Sequence, residues 1–174
     1  QVEELNETFK RMETRTSREK LNQLAGDAGR LGITSQEMAV EFVDAADKIN
    51  VALGDDLGDD AVKNIGKLAQ MFGDDKTKGL RGAMLATGSV VNELAQSSSA
   101  SAGYLVDFTA RLAGVGKQAG LTQQQIMGFA SVLDQNMQQD EAAATAMQNL
   151  IAKMFQDPAK FAALAGKSVK EFSS

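Results

Sequence analysis

A pair of matching segments limits the folds that this chain can adopt. The sequence LAGDAGRLGITSQE, residues 24–37, aligns without a gap with LAGVGKQAGLTQQQ, residues 112–125, 88 positions later, and six of the 14 aligned residues are identical. Each segment ends an apolar helical stripe at a glycine, Gly32 or Gly120, and glycine readily takes the left-handed conformation that closes a helix. We therefore expect the chain to turn sharply at both corners and fold back on itself.

A threonine follows the glycine in both segments and is predicted to begin the next helix. Thr34 and Thr122 are favourable N-cap residues, because their hydroxyls can accept a hydrogen bond from a free backbone amide. Glu37 and Gln125 lie three positions later, where their side chains can complete a capping box. Both corners are therefore predicted to start the second helix with the same reciprocal pair of hydrogen bonds.

The residues around each predicted cap also match in polarity. Ile33 and Leu121 precede the caps, where they could pack as hydrophobic staples against Met38 and Ile126 respectively. Two related helical halves, which arose by an old duplication, are our preferred interpretation. The alternative is that good helix corners converge independently on glycine, an apolar residue and threonine.

Helical periodicity extends through nearly the whole chain and determines the predicted fold class. Apolar residues recur at helical spacing, no alternating strand pattern of useful length is present, and there is one proline among 174 residues. The sequence predicts an all-α fold, a compact multi-helix bundle of about eight helices. The predicted buried stripes are Leu5, Phe9 and Met12; Leu21, Leu24, Ala28 and Leu31; Met38, Phe42, Ala45, Ile49 and Leu53; Val62, Ile65, Leu68, Ala69 and Phe72; Leu80, Ala83, Met84, Val91, Leu94 and Ala95; Leu105, Phe108, Leu112 and Val115; Ile126, Ala130, Leu133 and Met137; and Ala143, Met147, Leu150, Ile151, Met154 and Phe155.

Short polar segments separate the stripes. GDDLGDD at residues 54–60 and GDDKTKG at residues 73–79 are predicted loops, and SSSAS at residues 97–101 is a joint that offers a helix cap. Gly88 lies within a predicted helix, where glycine costs up to about 1 kcal/mol relative to alanine. Close approach by a neighbouring helix would explain its presence.

Candidate caps mark the predicted domain boundaries. Thr16 and Glu19 fit a capping box. Asp157 and Pro158 fit a cap and first helical residue, and Ser168 would begin a last helix. We expect an N-terminal helix that leads in from a longer parent protein at residues 1–16, a helical core module at 17–156, and a short helix with the start of a truncated one at 157–174.

Composition excludes several classes of function. The sequence has no His and no Cys, so it contains no Ser-His or Cys-His nucleophilic pair, disulfide or ordinary zinc ligand set. No phosphate-binding glycine motif is present. The net charge is −5 and the 18 basic residues are scattered, so nucleic-acid binding is not expected for this segment. No apolar run is long enough to span a membrane. We predict no catalytic, cofactor-binding or metal-binding residues and no small-molecule substrate.

Two acidic segments only partly resemble calcium-binding loops, and neither is predicted to bind calcium. Residues 74–79 begin with Asp and end with Gly as in an EF-hand loop, but Lys76 and Lys78 occupy ligand positions. The twelfth position is Leu85 rather than Glu, and residues 55–60 lack the spacing entirely. Both segments are predicted to be solvated and to lead into helices.

A hydrolase based on two carboxylates is a weaker alternative. Glu41 and Asp44 could serve as such a pair, since glycosides can be cleaved without His or Cys. They are predicted to lie on a helix beside a buried stripe rather than in a cleft. The chain also has one Tyr and no Trp to form a sugar-binding platform.

The methionine and glutamine residues could form binding surfaces, or they could belong to the core and to the solvated surface respectively. Gln123–Gln125 and residues 136–141 are predicted to be solvated, with a polar interface to a partner helix as the alternative. Most methionines fall in register with Leu, Ile and Phe, so we expect them in the core rather than on an adaptable surface. These are Met38, Met71, Met84, Met127, Met137, Met147 and Met154.

The order of these segments resembles a known family. LGITSQEMAVEFVDAADKINVALG is followed by KLAQMFG and then by ELAQSSSASAGYLVDFTARLAGVGKQAGLTQQQIMGFASVLDQ. This order resembles the core region of phage tail tape measure proteins, which occur in tailed phages and prophages. The resemblance covers residues 21–172, and its most specific part is the serine joint, helix, Gly-Leu-Thr corner and helix at 94–133.

The resemblance implies a structural role in the virion. Proteins of this kind are long and helical, lie inside the tail tube, set the length to which the tube polymerises, and leave when DNA is injected. It implies no catalytic residues, with the tail tube, other tail proteins or further copies of the chain as partners. It also implies a location in the phage tail of the virion, and in the host cytoplasm during assembly. Because this segment is predicted to be compact, we expect a module near one end of the parent rather than the ruler shaft. A helical adaptor or scaffold of another bacterial system is the alternative.

Overall fold

The computed structural model describes residues 2–11, 14, 16–58, 60–135 and 140–160, and within these residues it is almost entirely helical. Eight α-helices lie wholly within this part of the chain: α1 (Val2–Arg11), α2 (Arg18–Arg30), α3 (Gln36–Leu53), α4 (Ala61–Phe72), α5 (Asp74–Ser97), α6 (Ala102–Gln118), α7 (Gln123–Gln135) and α8 (Asp140–Gln156). A 3₁₀ helix, Gly54–Leu57, follows α3. No β-strand occurs in the described residues, so the predicted all-α multi-helix fold is confirmed.

Helices α5 and α6 form the centre of the bundle. Helix α5 packs against α3, α4, α6 and α7, while α6 packs against α4, α7 and α8. Helix α2 covers α3 at one side, and α1 packs on α2 and α3. A single cluster of buried apolar side chains joins these layers. The largest fully buried side chains include Phe42, Phe108, Leu68, Met84 and Leu105.

Most predicted stripes lie in this core. The positions that point outward are Met38 at 39%, Leu150 at 43% and Phe155 at 57% exposure, so the prediction was wrong there. In α8 the reason is packing: α6 is its main neighbour, and Ala144 and Ile151 are its buried side chains. One neighbour can cover only a narrow face of a helix. The predicted core side chains of Leu5, Met12, Met137 and Ala143 lie outside the described part of the chain.

The close helix approach predicted at Gly88 is present. A Cβ atom built on Gly88 would lie 2.8 Å from Cγ1 of Ile49, so any side chain there would collide with α3. Gly66 in α4 has the same role, since its Cβ would lie 2.7 Å from Cε2 of Phe42. Both glycines allow neighbouring helices to pack directly on a backbone.

The two predicted loops are more ordered than expected. Residues 54–57 form the 3₁₀ helix, and Leu57 within it is 1% exposed, which gives this segment an anchor in the core. Helix α5 begins at Asp74, directly after Gly73 closes α4 in the left-handed conformation. Gly79, with φ 69° and ψ 158°, then interrupts α5, so the predicted loop is a short helical turn between two glycine breaks. Negative charge at Asp74 and Asp75 favours a helix start there.

The cap of α2 differs from prediction, whereas the cap at Asp157 does not. Ser17, not Thr16, caps α2, and its hydroxyl accepts from the backbone N–H of Lys20 at 3.3 Å. Thr16 instead donates a hydrogen bond to the buried carboxylate of Asp47 in α3. The Asp157 cap is confirmed, because its Oδ1 accepts from the N–H of Lys160 at 3.2 Å. The predicted start at Ser168 lies outside the described residues.

Candidate functional site

Both helix corners end their first helix in the same way. Gly32 has φ 77° and Gly120 has φ 76°, as predicted for left-handed closing glycines. The next residue reaches back across the turn in each case. The Ile33 N–H donates to the Ala28 carbonyl at 3.1 Å, and the Leu121 N–H donates to the Gly116 carbonyl at 2.9 Å. This hydrogen-bond pattern is the Schellman motif, and it sets a sharp, reproducible turn.

The second corner also begins its next helix as predicted. The N–H of Gln125 donates to the Thr122 hydroxyl at 3.2 Å, and the Thr122 N–H donates to Gln125 Oε1 at 2.9 Å. This is a complete capping box. A Cβ on Gly116 would lie 2.6 Å from Cδ1 of Ile126 and 3.9 Å from Cδ1 of Leu121, so both staple side chains converge over this glycine.

The first corner begins its next helix one residue later than predicted. Ser35, not Thr34, caps α3, and its hydroxyl accepts from the N–H of Met38 at 3.1 Å. Glu37 is therefore one position too early to close a capping box. With Ser35 as the cap, Ile33 and Met38 no longer occupy the two staple positions. Met38 is 39% exposed, whereas Ile33 is buried.

Gln123 forms a buried polar cluster that the sequence did not reveal. It was predicted to be solvated, but it is 2% exposed. Its Nε2 donates to the Asp74 carboxylate, and its Oε1 accepts from the Thr87 hydroxyl at 3.1 Å. Gln123 thus links the first turn of α7 to α5 on both sides of the break at Gly79, through Asp74 before it and Thr87 after it. Because both the nitrogen and the oxygen of this buried amide have partners in α5, the cluster fixes the orientation of α7 relative to α5.

Helix α7 presents an uncharged face to solvent. Phe129 is 41% exposed and Val132 is 55% exposed, and Gln125 precedes them on the same side of the helix. We call these three residues the α7 face. The one charged residue of α7 is Asp134, whose carboxylate accepts from the Ser99 hydroxyl at 2.6 Å and is thereby held toward the serine joint. Exposed aromatic and aliphatic groups without charges are typical of surfaces that bind other proteins.

The serine joint fixes the other end of this region. Ser101 caps α6, as the joint predicted, and its hydroxyl accepts from the N–H of Tyr104 at 3.2 Å. Ala100 is buried at 2% exposure, so the joint is anchored in the core. Helices α6 and α7 are therefore positioned by capped and packed residues at the start of each helix.

The predicted carboxylate pair is engaged in structural contacts. Asp44 Oδ2 lies 2.5 Å from Arg81 Nε and 2.8 Å from Lys48 Nζ. Burial raises the pKa of Asp44, but the hydrogen bonds from Lys48 and Arg81 outweigh this effect and hold the pKa below its usual value. Glu41 accepts from the backbone N–H of Arg81 at 3.5 Å, where α5 resumes after Gly79. A general acid needs a raised pKa, and Asp44 has the opposite shift.

Two aspartates of the acidic segments make contacts within the fold. Asp74 is used by Gln123, and Asp60 is paired with Lys63 at 2.5 Å. Among the residues that the structure describes, no group of three or more acidic side chains is placed to hold a metal ion.

Methionines are divided between core and surface. Met84 and Met127 are completely buried, which confirms the prediction for them. Met71 is 36% exposed and Met38 is exposed as described above, so the core prediction was wrong at both. Met147 and Met154 are half-buried, and Met137 lies outside the described residues.

No helix in the described residues is both long enough and apolar enough to cross a membrane. The described residues form an all-α bundle in which α7 presents an uncharged face to solvent. A family model described as phage-related minor tail protein matches residues 1–173, and the chain therefore belongs to the phage-related minor tail protein family. It is a phage tail protein, for which the virion tail is the location and other tail proteins are the partners. No curated protein and no solved structure matches the chain.

Proposed function

We propose that this chain is a structural and interaction module of a tail tape measure protein. It would contribute to tail assembly and tail length determination through helix packing and contacts with the tail tube and other tail proteins. Two findings support the proposal: membership of the minor tail protein family, and the resemblance of residues 94–133 to the tape measure core.

The α7 face is the observation on which the proposed mechanism depends. The region that carries the resemblance folds into the end of α5, the serine joint, α6, the second corner and most of α7. The capping box at Thr122 and the buried cluster around Gln123 hold α7 on α5 and α6. Phe129 and Val132 are consequently presented outward on a fixed helix. A preorganised apolar face loses little conformational entropy on binding, which favours specific assembly.

The proposed module acts without catalysis. Residues 17–156 would form the packed core module, in the virion tail after assembly and in the host cytoplasm before it. The Schellman turns at Gly32 and Gly120 reverse the chain, which supports a folded module rather than a segment of an extended shaft. The shared closing geometry of the two corners also supports the proposed origin of the two halves by duplication.

The α7 face is tested by Phe129→Asp in the phage or prophage whose gene encodes this chain. A carboxylate would disrupt an apolar contact there but leave the buried core intact, because Phe129 is 41% exposed. Electron microscopy should show few complete tails, or tails of irregular length. Thr145→Asp is the matched control, because it adds the same charge at an exposed position of α8. Normal tails from a folded Phe129→Asp protein would contradict the proposal.

An in-frame deletion of residues 17–156 tests whether this region is a module or a shaft. As a fully helical shaft these residues would span about 210 Å, and their loss would shorten the tail by that length. A module that acts through assembly contacts should instead give failed or irregular tails. Uniform tails that are shorter by about 1.5 Å per deleted residue would show that the region is part of the ruler shaft.

Two further observations separate the alternatives. Neighbouring genes for tail tube, portal or baseplate proteins support the tape measure over a helical adaptor of another system. A peptidoglycan zymogram tests the hydrolase, and clearing that Asp44→Asn abolishes would show that the chain is an enzyme. We expect no clearing, because Asp44 is held by Lys48 and Arg81.

A further inference from the structure

The α7 face and one face of α3 occupy equivalent positions in the internal repeat. Continuing the 88-residue offset past the second corner places Phe129 opposite Glu41 and Val132 opposite Asp44. Buried side chains of α3 and α7 correspond at the same offset, so each face has the same position relative to the core side of its helix. What lies on the α3 face is therefore a guide to what the α7 face can accept.

Helix α5 lies across the α3 face. The backbone N–H of Arg81 donates to Glu41 Oε2 at 3.5 Å, and Arg81 Nε lies 2.5 Å from Asp44 Oδ2. Further along both helices, a Cβ on Gly88 would lie 2.8 Å from Cγ1 of Ile49. The α3 face is thus a docking surface for a helix, with a charged contact at one end and a close backbone approach at the other.

Polarity and exposure are reversed between the two faces. Glu41 and Asp44 are charged, yet both are half-buried at the contact with α5, where Arg81 offsets part of their lost hydration. Phe129 and Val132 are apolar, yet both are exposed. Because removing apolar surface from water is favourable, the α7 face gains more from a covering helix than the α3 face does.

The chemistry of the α7 face selects the kind of partner. Its residues follow the spacing i, i+4 and i+7, which forms a ridge that fits a groove on another helix. The acidic α3 face is met by Arg81, whereas the one charged residue of α7, Asp134, accepts from Ser99. The facing stripe of a partner helix should therefore be apolar and uncharged. A small residue at the crossing point would allow close approach, as Gly88 does on α3.

We propose that the α7 face binds an amphipathic α-helix of a partner tail protein, with an uncharged apolar stripe against Phe129 and Val132. That helix lies on α7 as α5 lies on α3. The inference rests on the proposed function and deepens it by naming the structure and chemistry of the partner segment.

The test uses the full chain and two fluorescent, helix-forming peptides of equal length. The first has a stripe of Leu and Ala with a central Gly, and the second is identical except that one Leu of the stripe is Arg. We expect the first peptide to bind about tenfold more tightly or better, because an unpaired guanidinium against Phe129 and Val132 is unfavourable. Its affinity should change little between low salt and about 0.5 M salt, since the contact has no charge to screen.

A double substitution gives the α7 face the carboxylates of the α3 face. Phe129→Glu/Val132→Asp should reverse the preference, with a change of about tenfold or more in the ratio of the two affinities. Ala142→Glu/Thr145→Asp is the matched control, because it adds the same charges at the same three-residue spacing on exposed positions of α8. The control should keep the preference for the uncharged peptide. Circular dichroism checks that both variants are folded.

Nuclear magnetic resonance of the unsubstituted chain locates the uncharged peptide without relying on any variant. Amide signals of α7 should shift when the peptide is added, while those of α2 should not. No binding, shifts confined to other helices, or equal preferences in the double variant and its control would each overturn the proposal. A dimer of the chain alone that Phe129→Glu/Val132→Asp dissociates would also overturn it, because a second copy would then occupy the face.

Failure of this inference is distinguishable from failure of the proposed function. Peptide binding together with normal tails in the Phe129→Asp phage would support the helix contact and contradict its role in tail assembly. Irregular tails in that phage without peptide binding would support the role in assembly and overturn the helix contact.

Discussion

The first and second corners of the molecule stop a helix identically but start the next one differently. At Gly32 and Gly120 the same Schellman hydrogen bonds close α2 and α6. Helix α3 is then capped by Ser35, whereas α7 is capped by Thr122, which aligns with Thr34. The cap has thus moved by one residue, although the two sequences match at the glycine and the threonine.

Beyond the first turn, the two corners keep the same register. Ala39 and Phe42 are buried in α3, and their aligned partners Met127 and Ala130 are buried in α7. The difference is confined to the start. Helix α7 buries its first turn under α5 and Gly116, whereas α3 leaves its first turn exposed. The glycine therefore determines where the first helix ends without help from distant contacts, whereas the residue that begins the next helix depends on the packing around its first turn.

The aligned pair Ile126 and Met38 gives the largest expected difference between the corners. Ile126 is fully buried, so Ile126→Ala should lower the free energy of unfolding by about 2–5 kcal/mol. Met38→Ala should cost about 0.5 kcal/mol or less, because Met38 is 39% exposed. Urea denaturation measures both. Equal losses would mean that the first turns of α3 and α7 are packed alike, contrary to the structure.

The buried cluster at Gln123 gives the next largest effect. Gln123→Ala would leave the Asp74 carboxylate and the Thr87 hydroxyl without this partner, at an expected cost of about 2 kcal/mol. Gln124→Ala is the control, since Gln124 is half-buried and outside the cluster. A second measurement is hydrogen exchange at the first turn of α5, which should become faster only in Gln123→Ala. Unchanged stability and exchange would show that Gln123 is not a structural tie.

Gly116 tests the tight packing that is specific to the second corner. The aligned residue in the first corner is Ala28, so alanine is compatible with the helix itself. Gly116→Ala should nevertheless cost about 1–3 kcal/mol, because its Cβ would lie 2.6 Å from Cδ1 of Ile126. The low end is expected, since the colliding atom is the tip of a side chain.

A second substitution distinguishes this collision from a backbone effect. Ile126→Val removes Cδ1, so it should cost less in the Gly116→Ala background than in the original chain. The measure is a double-mutant cycle by urea denaturation. Strict additivity would mean that the contact between residues 116 and 126 does not cause the loss.

Sequence reasoning predicted the parts of the fold that depend on local chemistry. The left-handed conformation of Gly32 and Gly120, the close approach at Gly88 and most buried stripes followed from backbone freedom and helical spacing. The cap positions at Thr16 and Thr34 did not follow. In each case a serine comes next, and either hydroxyl can accept the same kind of amide, so local pattern alone cannot choose.

The remaining differences come from contacts between distant parts of the chain. Gln123 is buried because Asp74, 49 positions away, and Thr87, 36 positions away, satisfy its amide. No local pattern marks that pairing. Leu150 and Phe155 are exposed because α8 rests chiefly on α6. The predicted absence of a catalytic site depended on composition and stays a prediction. The candidate surfaces required the structure, because charge and exposure had to be compared across helices.

The caps themselves give the smallest expected effects and the sharpest test of the comparison. Thr122→Ala and Ser35→Ala should each cost about 1 kcal/mol, since each removes the hydroxyl that accepts a helix amide. Thr34→Ala should cost almost nothing, because Thr34 precedes the cap and is exposed. Urea denaturation of the three variants measures the order. A loss at Thr34 as large as that at Thr122 would place both caps at the threonine and make the corners equivalent. A loss at Ser35 but not at Thr34 would establish that α3 starts one residue later than α7. Packing around the first turn would then determine which hydroxyl caps the helix.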